Sequence, residues 1–167
     1  MFQKMMAISS FLAVALVCNS ARATPPCSGW GDSEIRSRFE SEFHCKWKTA
    51  SGESKCMIED LVGVWIYTKP GKGTVGKMEI IALASSLKAD LNRQSKKSRD
   101  ITQAILADYL SPSSSQAAQI DAALGKASTR EPQRLKIRNV RVNIVLVEPG
   151  DTFSSFFDIT LTPENCR

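Results

Sequence analysis

The cysteines set the tightest limits on how this chain can fold. The 167-residue sequence contains five of them, Cys18, Cys27, Cys45, Cys56 and Cys166. No C-x-x-C pair is present and the spacings are long, a pattern that disfavours a zinc site. Disulfide bonding is the other common use of such cysteines, and it requires an oxidising compartment.

The N-terminal residues predict export to such a compartment. Lys4 precedes an apolar stretch at 7–18, and Ala21-Arg22-Ala23 supplies the small residues of a signal-peptide cleavage site. We therefore expect residues 1–23 to be a signal peptide. Residues 24–167 would form a single exported domain that is periplasmic or secreted.

Two other interpretations of the leader are disfavoured. The apolar stretch is shorter than the roughly 20 residues that a membrane-spanning helix needs, and no later stretch approaches that length. We expect no transmembrane segment in the mature chain. Lipid attachment at Cys18 would require a small residue just before the cysteine, and Val17 stands there.

Cleavage would remove Cys18 and leave four cysteines, which predicts two disulfides with three possible pairings. We favour Cys45 with Cys56, because a short polar segment containing a glycine separates them and they would face each other across a hairpin. Cys27 would then pair with Cys166 and fasten the two ends of the mature chain together.

Hydrophobic periodicity predicts a single small α+β domain, with a mostly antiparallel sheet, an N-terminal helix and a central helical pair. Ile35, Phe39 and Phe43 recur every four residues, which indicates a helix capped by Asp32 or Ser33. Strands are expected in the Cys45/Cys56 hairpin and at 61–68, 75–84, 135–147 and 153–162, and the helical pair at 98–110 and 116–126.

Two segments are harder to place. Residues 85–98 are polar and basic, and we interpret them as a connection with one helical turn near 87–91. The apolar alternation within 135–147 changes phase near Asn139, which predicts a β-bulge there. Residues 148–151 would form the turn to the last strand.

The charge balance argues against nucleic acid as a partner. The whole chain has 22 basic and 17 acidic residues. Removing the leader takes away Lys4 and Arg22 and no acidic residue, which leaves a net charge of +3. Neutralising the phosphates of a nucleic acid requires a more strongly basic surface.

Residues 70–78, PGKGTVGKM, contain the only motif typical of an active site. Gly71, Gly76 and Lys77 match the G-x-x-x-x-G-K skeleton of a phosphate-binding loop. Met78, however, stands where the Ser or Thr that holds magnesium is required, and the following residues favour a strand over the helix that such a loop needs. We interpret the stretch as a turn between two strands and expect no cofactor.

No catalytic residue is assigned, although a hydrolase remains an alternative. His44 is the only histidine, and Glu59 with Asp60 is the best carboxylate pair for such an enzyme. A hydrolase would place His44 or Glu59 in a concave pocket with a second titratable group. We expect His44 instead to be a half-exposed residue where a helix meets a strand. No metal ligand set is assigned either.

Two basic sets form the candidate contact surface. The first is Arg134, Lys136 and Arg138, which alternate with apolar residues so that one face of a strand would display all three cations. The second is Lys96, Lys97 and Arg99. The simpler interpretation is a solvated strand face that discourages edge-to-edge pairing. Among the tryptophans, Trp30 lies between two glycines and is the one expected to be exposed for binding.

Three functional hypotheses follow. The favoured one is an exported, non-catalytic protein-binding module of inhibitor or immunity type, whose basic surface meets an acidic protein partner. The second is a small cell-envelope hydrolase. The third is a structural module that binds an anionic polymer or an anionic envelope surface.

Overall fold

Alternating apolar residues fold much of the chain into one antiparallel sheet. The structure, a computed structural model, describes residues 29–51, 53–86, 89–148 and 154–164, which form seven strands and three helices. The strands are β1 (Lys48–Ala50), β2 (Glu53–Ile58), β3 (Val62–Thr68), β4 (Val75–Ser86), β5 (Gln133–Ile137), β6 (Val140–Val147) and β7 (Ser154–Pro163). The helices are α1 (Asp32–Phe43), α2 (Ala89–Leu110) and α3 (Ser114–Lys126). The predicted α+β fold is confirmed.

The last strand joins the two halves of the sheet. The strand order is β1-β2-β3-β4-β7-β6-β5, and every neighbouring pair is antiparallel. The first four strands follow one another along the chain, the helical pair α2–α3 then crosses over, and β5 and β6 form a hairpin. Strand β7 enters between β4 and β6, so the C-terminal strand lies inside the sheet.

All three helices pack on the same face of the sheet. In α1, Ile35 and Phe39 are one turn apart and fully buried, and the Phe39 ring stacks on Tyr109 of α2 at 5.3 Å between centroids. Gln103 of α2 donates a hydrogen bond of 2.8 Å to Asp121 of α3. Alternate residues of the central strands complete this core, namely Val62, Val64, Ile66, Met78, Ile80, Val142, Ile144, Phe157, Ile159 and Leu161.

One of the two predicted disulfides lies in the described part of the chain. Cys45 and Cys56 are bonded to each other and both are buried, so the bond ties the segment after α1 to β2. The predicted signal peptide, Cys27, Cys166 and most of the predicted turn at 148–151 lie outside the described residues.

The stretch at 70–78 is a turn followed by a strand, as predicted. Lys69 N–H donates to the Thr74 carbonyl at 2.9 Å, and β4 begins at the next residue. The turn also holds the start of α1, because Asp32 N–H donates to the Gly73 carbonyl and Val75 N–H donates to the Trp30 carbonyl. These backbone groups are therefore hydrogen-bonded within the turn and to the segment that begins α1.

The prediction of a connection at 85–98 was wrong, because α2 begins at Ala89. The predicted helix began at residue 98, yet Ser98 is buried within α2 and its hydroxyl donates to the Leu61 carbonyl at 3.4 Å. Thr102 is also buried and donates to the Ser98 carbonyl at 2.8 Å. Arg93, Gln94, Lys96 and Lys97, just before Ser98, are exposed on this long helix.

The predicted bulge near Asn139 was also wrong. Arg138 and Asn139 form a two-residue turn between β5 and β6, with Ile137 paired to Val140. A hairpin turn changes the phase of the apolar alternation in the same way as a bulge, which explains the error. Arg138 has a φ of 52° in this turn, so it does not share a strand face with Arg134 and Lys136 as predicted.

Two predictions at the N-terminal side of the domain need correction as well. Trp30 is 4% exposed and packs edge-on against Tyr109 in the core, so it is not a surface tryptophan. The residue at the N-cap position of α1 is Gly31, and no side chain caps the N-terminus of this helix. Asp32 instead forms an ion pair of 3.0 Å with Arg36, one turn along α1.

Candidate functional site

The second face of the sheet is the candidate functional site. The three described helices occupy the other face, and within residues 29–51, 53–86, 89–148 and 154–164 no helix covers this one. We call it the open face. It consists of the strand residues that alternate with the core positions.

The strand registers arrange the open face in rows that run across the sheet. The first row is Leu83, Phe156 and Val147. The second row is Met57, Gly63, Ile81, Asp158 and Val145. The third row is Lys48, Lys55, Trp65, Glu79, Thr160, Asn143 and Arg134. The fourth contains Tyr67 and Lys77 on one side and Thr162, Arg141 and Lys136 on the other.

The first two rows form an apolar half of the open face. Its members are Met57, Ile81, Leu83, Val145, Val147 and Phe156. None of the six belongs to the core cluster beneath the helices, but Leu83 is nevertheless buried, and Ile81, Val145 and Phe156 are half-buried. Met57 is 48% exposed and Val147 is 41% exposed. A sheet face that displays aliphatic and aromatic side chains in neighbouring rows is typical of a contact surface.

Trp65 lies flat against the sheet at the border of the apolar half. A Cβ atom added to Gly63 would overlap the six-membered ring of the Trp65 indole and would lie 3.2 Å from the Met57 sulfur. The absence of a side chain at Gly63 therefore makes room for the ring. Trp65 is half-buried, so part of the indole is available for contact.

The remaining two rows form a polar half. Tyr67 O–H donates to Glu79 Oε2 at 3.2 Å, and Lys77 Nζ donates to the same oxygen at 3.0 Å. The Lys77 ammonium also lies 3.9 Å from the centroid of the Tyr67 ring. Burial and the neighbouring Glu79 carboxylate raise the pKa of Tyr67 to about 12, so its hydroxyl remains a neutral hydrogen-bond donor.

Asp158 is the one carboxyl group in the apolar rows. It lies between Ile81 and Val145, its paired residues on the two neighbouring strands. Its Oδ1 is buried and has no hydrogen-bond partner among the described residues. Desolvation raises the pKa of Asp158, the Glu79 charge raises it further, and Lys77 partly opposes both effects.

A cleft of about 430 Å³ indents the polar half over β5, β6 and β7. It is lined by Arg134, Leu135, Arg141, Val142, Asn143, Thr160 and Thr162. Beside it, Glu164 accepts ion pairs from Arg141 at 2.9 Å and from Lys136 at 2.5 Å. A hydrogen bond from Lys136 is the main reason why the pKa of Glu164 is lowered.

The structure separates the two basic sets of the predicted contact surface. Arg134 and Lys136 are exposed on the open face, at the edge strand β5. Lys96, Lys97 and Arg99 are exposed on α2, and Lys97 pairs with Glu59 at the turn between β2 and β3. Because α2 covers the opposite face of the sheet, the two sets do not form one surface.

The groups suggested for a hydrolase lie on the exposed surface. His44 is exposed and ends α1 with a φ of 52°. Glu59 and Asp60 are exposed in the turn after β2, both with positive φ. Neither His44 nor Glu59 lines the cleft on the open face.

Several open-face residues were missed in the sequence although the signal was present. In the stretch 156–162, FFDITLT, Phe156, Asp158, Thr160 and Thr162 alternate with core residues and must share the other face. A glycine two residues before Trp65 in β3 is a second signal, because residues two apart on a strand are neighbours on one face. What the sequence does not reveal is which face the helices cover.

A comparison of this chain with protein-family models, with curated proteins and with solved structures found no match. Among the described residues, no helix combines the length and the apolar character needed to cross a membrane. No group of three or more His, Cys, Asp or Glu side chains in that part of the chain is arranged to hold a metal ion.

Proposed function

We propose that this protein is an exported, non-catalytic binding module that holds a protein partner against the open face of its sheet. The observation that carries the proposal is the exposure of the apolar half. Among the residues that the structure describes, Met57 and Val147 are the two most exposed large hydrophobic side chains, and both lie there. When a partner removes apolar surface from water, the binding free energy becomes more favourable by about 25 cal/mol for each Å² buried.

The size of the open face suits a protein partner. Six spacings of about 4.8 Å separate the two edge strands, which gives a width of roughly 29 Å. Four rows spaced by roughly 6.7 Å span about 20 Å along the strands. The flat area is therefore roughly 600 Å², close to the about 800 Å² that each protein contributes to an interface of standard size.

The chemistry of the face favours a protein over an anionic polymer. A polyanion would engage the cations near β5 but would leave the apolar half in water. A protein can cover Met57, Ile81 and Phe156 with its own apolar side chains and satisfy the polar half at the rim, which is the usual arrangement of protein interfaces. The exported location expected from residues 1–23 and the Cys45–Cys56 disulfide both suit a partner outside the cytoplasm.

Site-specific photo-crosslinking tests the proposal. A photoreactive amino acid at Met57 reports contacts of the open face, and the same amino acid at Ala118 of α3, which is exposed, reports the helical side. In an envelope extract of the native cell, we expect Met57 to give one discrete protein adduct and Ala118 to give none. Mass spectrometry identifies the adduct.

A competition step distinguishes specific docking from adventitious capture. Excess unlabelled wild-type chain should remove the Met57 adduct, whereas excess Val147→Glu chain should not, because the substitution places a charge in the apolar half. Equal adducts from both positions, or no protein adduct from Met57, would show that the proposed surface is wrong.

A further inference from the structure

Five of the seven residues that line the cleft over β5, β6 and β7 carry groups that can bind an oxyanion, and the other two are Leu135 and Val142. Arg134 and Arg141 contribute two guanidinium groups, and Asn143, Thr160 and Thr162 contribute an amide and two hydroxyls. No acidic side chain lines it. Guanidinium groups bind carboxylates through paired, charge-assisted hydrogen bonds, which makes arginine the preferred residue for such recognition.

Arg134 is the cation in this cleft whose charge is not already compensated. Arg141 and Lys136 share Glu164, which leaves a net positive charge in that group of three. Arg134 has no acidic partner among the residues that the structure describes. It pairs across the strands with Asn143, so its side chain lies beside an amide and not beside a carboxylate.

The cleft continues directly into the apolar half. Along β6 the open-face residues after Asn143 are Val145 and Val147, and along β7 the residues before Thr160 are Asp158 and Phe156. Successive open-face residues are two positions apart on a strand, so the distance from Asn143 to Val147 along β6 is roughly 13 Å. One partner can therefore place an acidic group in the cleft and apolar side chains on Val147 and Phe156.

We infer that the cleft receives an acidic side chain, aspartate or glutamate, of the protein partner that covers the apolar half. This inference rests on the proposed function, which supplies the partner. Charge complementarity selects the acidic group, and continuity with the apolar half assigns that group to a protein. The pair orients the partner along the strands, because the cations of the open face lie in its third and fourth rows and the apolar residues lie in the first two.

A charge reversal matched by a control on the opposite side tests the inference. Arg134→Glu and Arg99→Glu change the net charge of the protein equally, and both residues are exposed. We expect Arg134→Glu to weaken binding of the protein crosslinked through Met57 at least tenfold, and Arg99→Glu to weaken it less than threefold. Binding of wild type should fall more steeply with added NaCl than binding of Arg134→Glu.

Further outcomes separate the possible sources of the anion. Dextran sulfate serves as a polyanion probe and sodium phosphate as a free anion. If Arg134→Glu abolishes binding of either probe but leaves the affinity for the protein unchanged, the cleft serves that other anion and the inference fails. Restoration of binding when an acidic residue of the partner is changed to Arg would support it directly.

The inference and the proposed function fail in distinguishable ways. Loss of the Met57 adduct in wild type overturns both. A normal Met57 adduct with equal affinities for wild type and Arg134→Glu overturns the inference alone. Unchanged thermal unfolding of both variants shows that the substitutions leave the fold intact.

Discussion

At the scale of single residues, Gly63 determines how Trp65 is presented. The indole lies across the backbone of β3 because position 63 carries no side chain, and Met57 lies beside it from β2. The flat ring shields part of the sheet while keeping one face accessible. If the open face binds a partner as proposed, a tryptophan held in this way loses little conformational entropy on binding.

The first prediction concerns this glycine. Gly63→Ala should destabilise the protein by about 1–3 kcal/mol, because the added methyl group overlaps the indole and displaces Trp65. Urea unfolding measures the change. The matched substitution is Gly125→Ala in α3, where an added Cβ meets nothing within 4 Å, and there we expect a gain of about 0.5 kcal/mol. Equal effects at both positions would contradict the described position of the ring.

Asp158 provides a second prediction, on pH dependence. Its pKa is raised in the folded protein, so between that pKa and the ordinary value of 3.8 the folded state binds more protons than the unfolded chain. The contribution of Asp158 to stability therefore increases as the pH falls through the raised pKa, and at neutral pH its ionised form costs stability. Asp158→Asn should raise the free energy of unfolding at pH 7 by about 1 kcal/mol, near the low end for a poorly satisfied buried polar group.

The same variant should change the slope of stability against pH. Between about pH 4 and pH 7, the gain of Asp158→Asn over wild type should shrink as the pH falls. Asp100→Asn is the control, because Asp100 is exposed on α2. A constant difference between wild type and Asp158→Asn across this range would show that Asp158 has an ordinary pKa.

At the scale of elements, α3 is held by a capping box. Ser113 Oγ accepts from Gln116 N–H at 3.4 Å, and Gln116 Oε1 accepts from Ser113 N–H at 3.0 Å. These reciprocal bonds satisfy two backbone donors at the start of the helix. The third prediction is that Ser113→Ala lowers the free energy of unfolding by about 1 kcal/mol. Ser114→Ala, one position inside the helix, should leave it within about 0.5 kcal/mol of wild type.

The disulfide links two elements and gives the fourth prediction. Cys45 and Cys56 are 11 residues apart, and closing a loop of about this size stabilises the fold by roughly 3 kcal/mol in the chain-entropy model. Replacing both by Ala should lower the free energy of unfolding by that amount in urea titrations. Alkylation of both thiols in the untreated native protein would instead show that they are not bonded.

Elements defined by strong periodicity could be predicted from the sequence, whereas their ends depended on tertiary contacts. The Ile35/Phe39 repeat located α1, and alternation located β3, β4 and β7. The start of α2 was missed because residues 85–98 are polar and basic, a composition that suits a connection as well as an exposed helix. The turn at Arg138 and Asn139 was missed because its residue with positive φ is an arginine, where a glycine or an asparagine is usual.

At the scale of the whole molecule, the described helices cover one face of the sheet, and the proposed contact surface is the other face. Sequence alternation assigns residues to two faces but does not tell which face the helices cover. The sequence therefore predicted Trp30 as the exposed tryptophan, whereas Trp30 is buried and Trp65 is half-buried on the open face. Only the packing of α1, α2 and α3 on one side resolves both points.

Methionine oxidation tests the central claim, that a protein covers the open face, most directly. Met57 is 48% exposed and Met78 is fully buried in the same sheet, so Met78 serves as the internal reference for the oxidation rate of Met57. In the purified protein, peroxide should oxidise Met57 at least ten times faster than Met78. In the native envelope extract, we predict that Met57 becomes protected at least fivefold, as measured by mass spectrometry of the tryptic peptides. Equally fast oxidation of Met57 in both preparations, with Met78 still unreacted, would contradict the account.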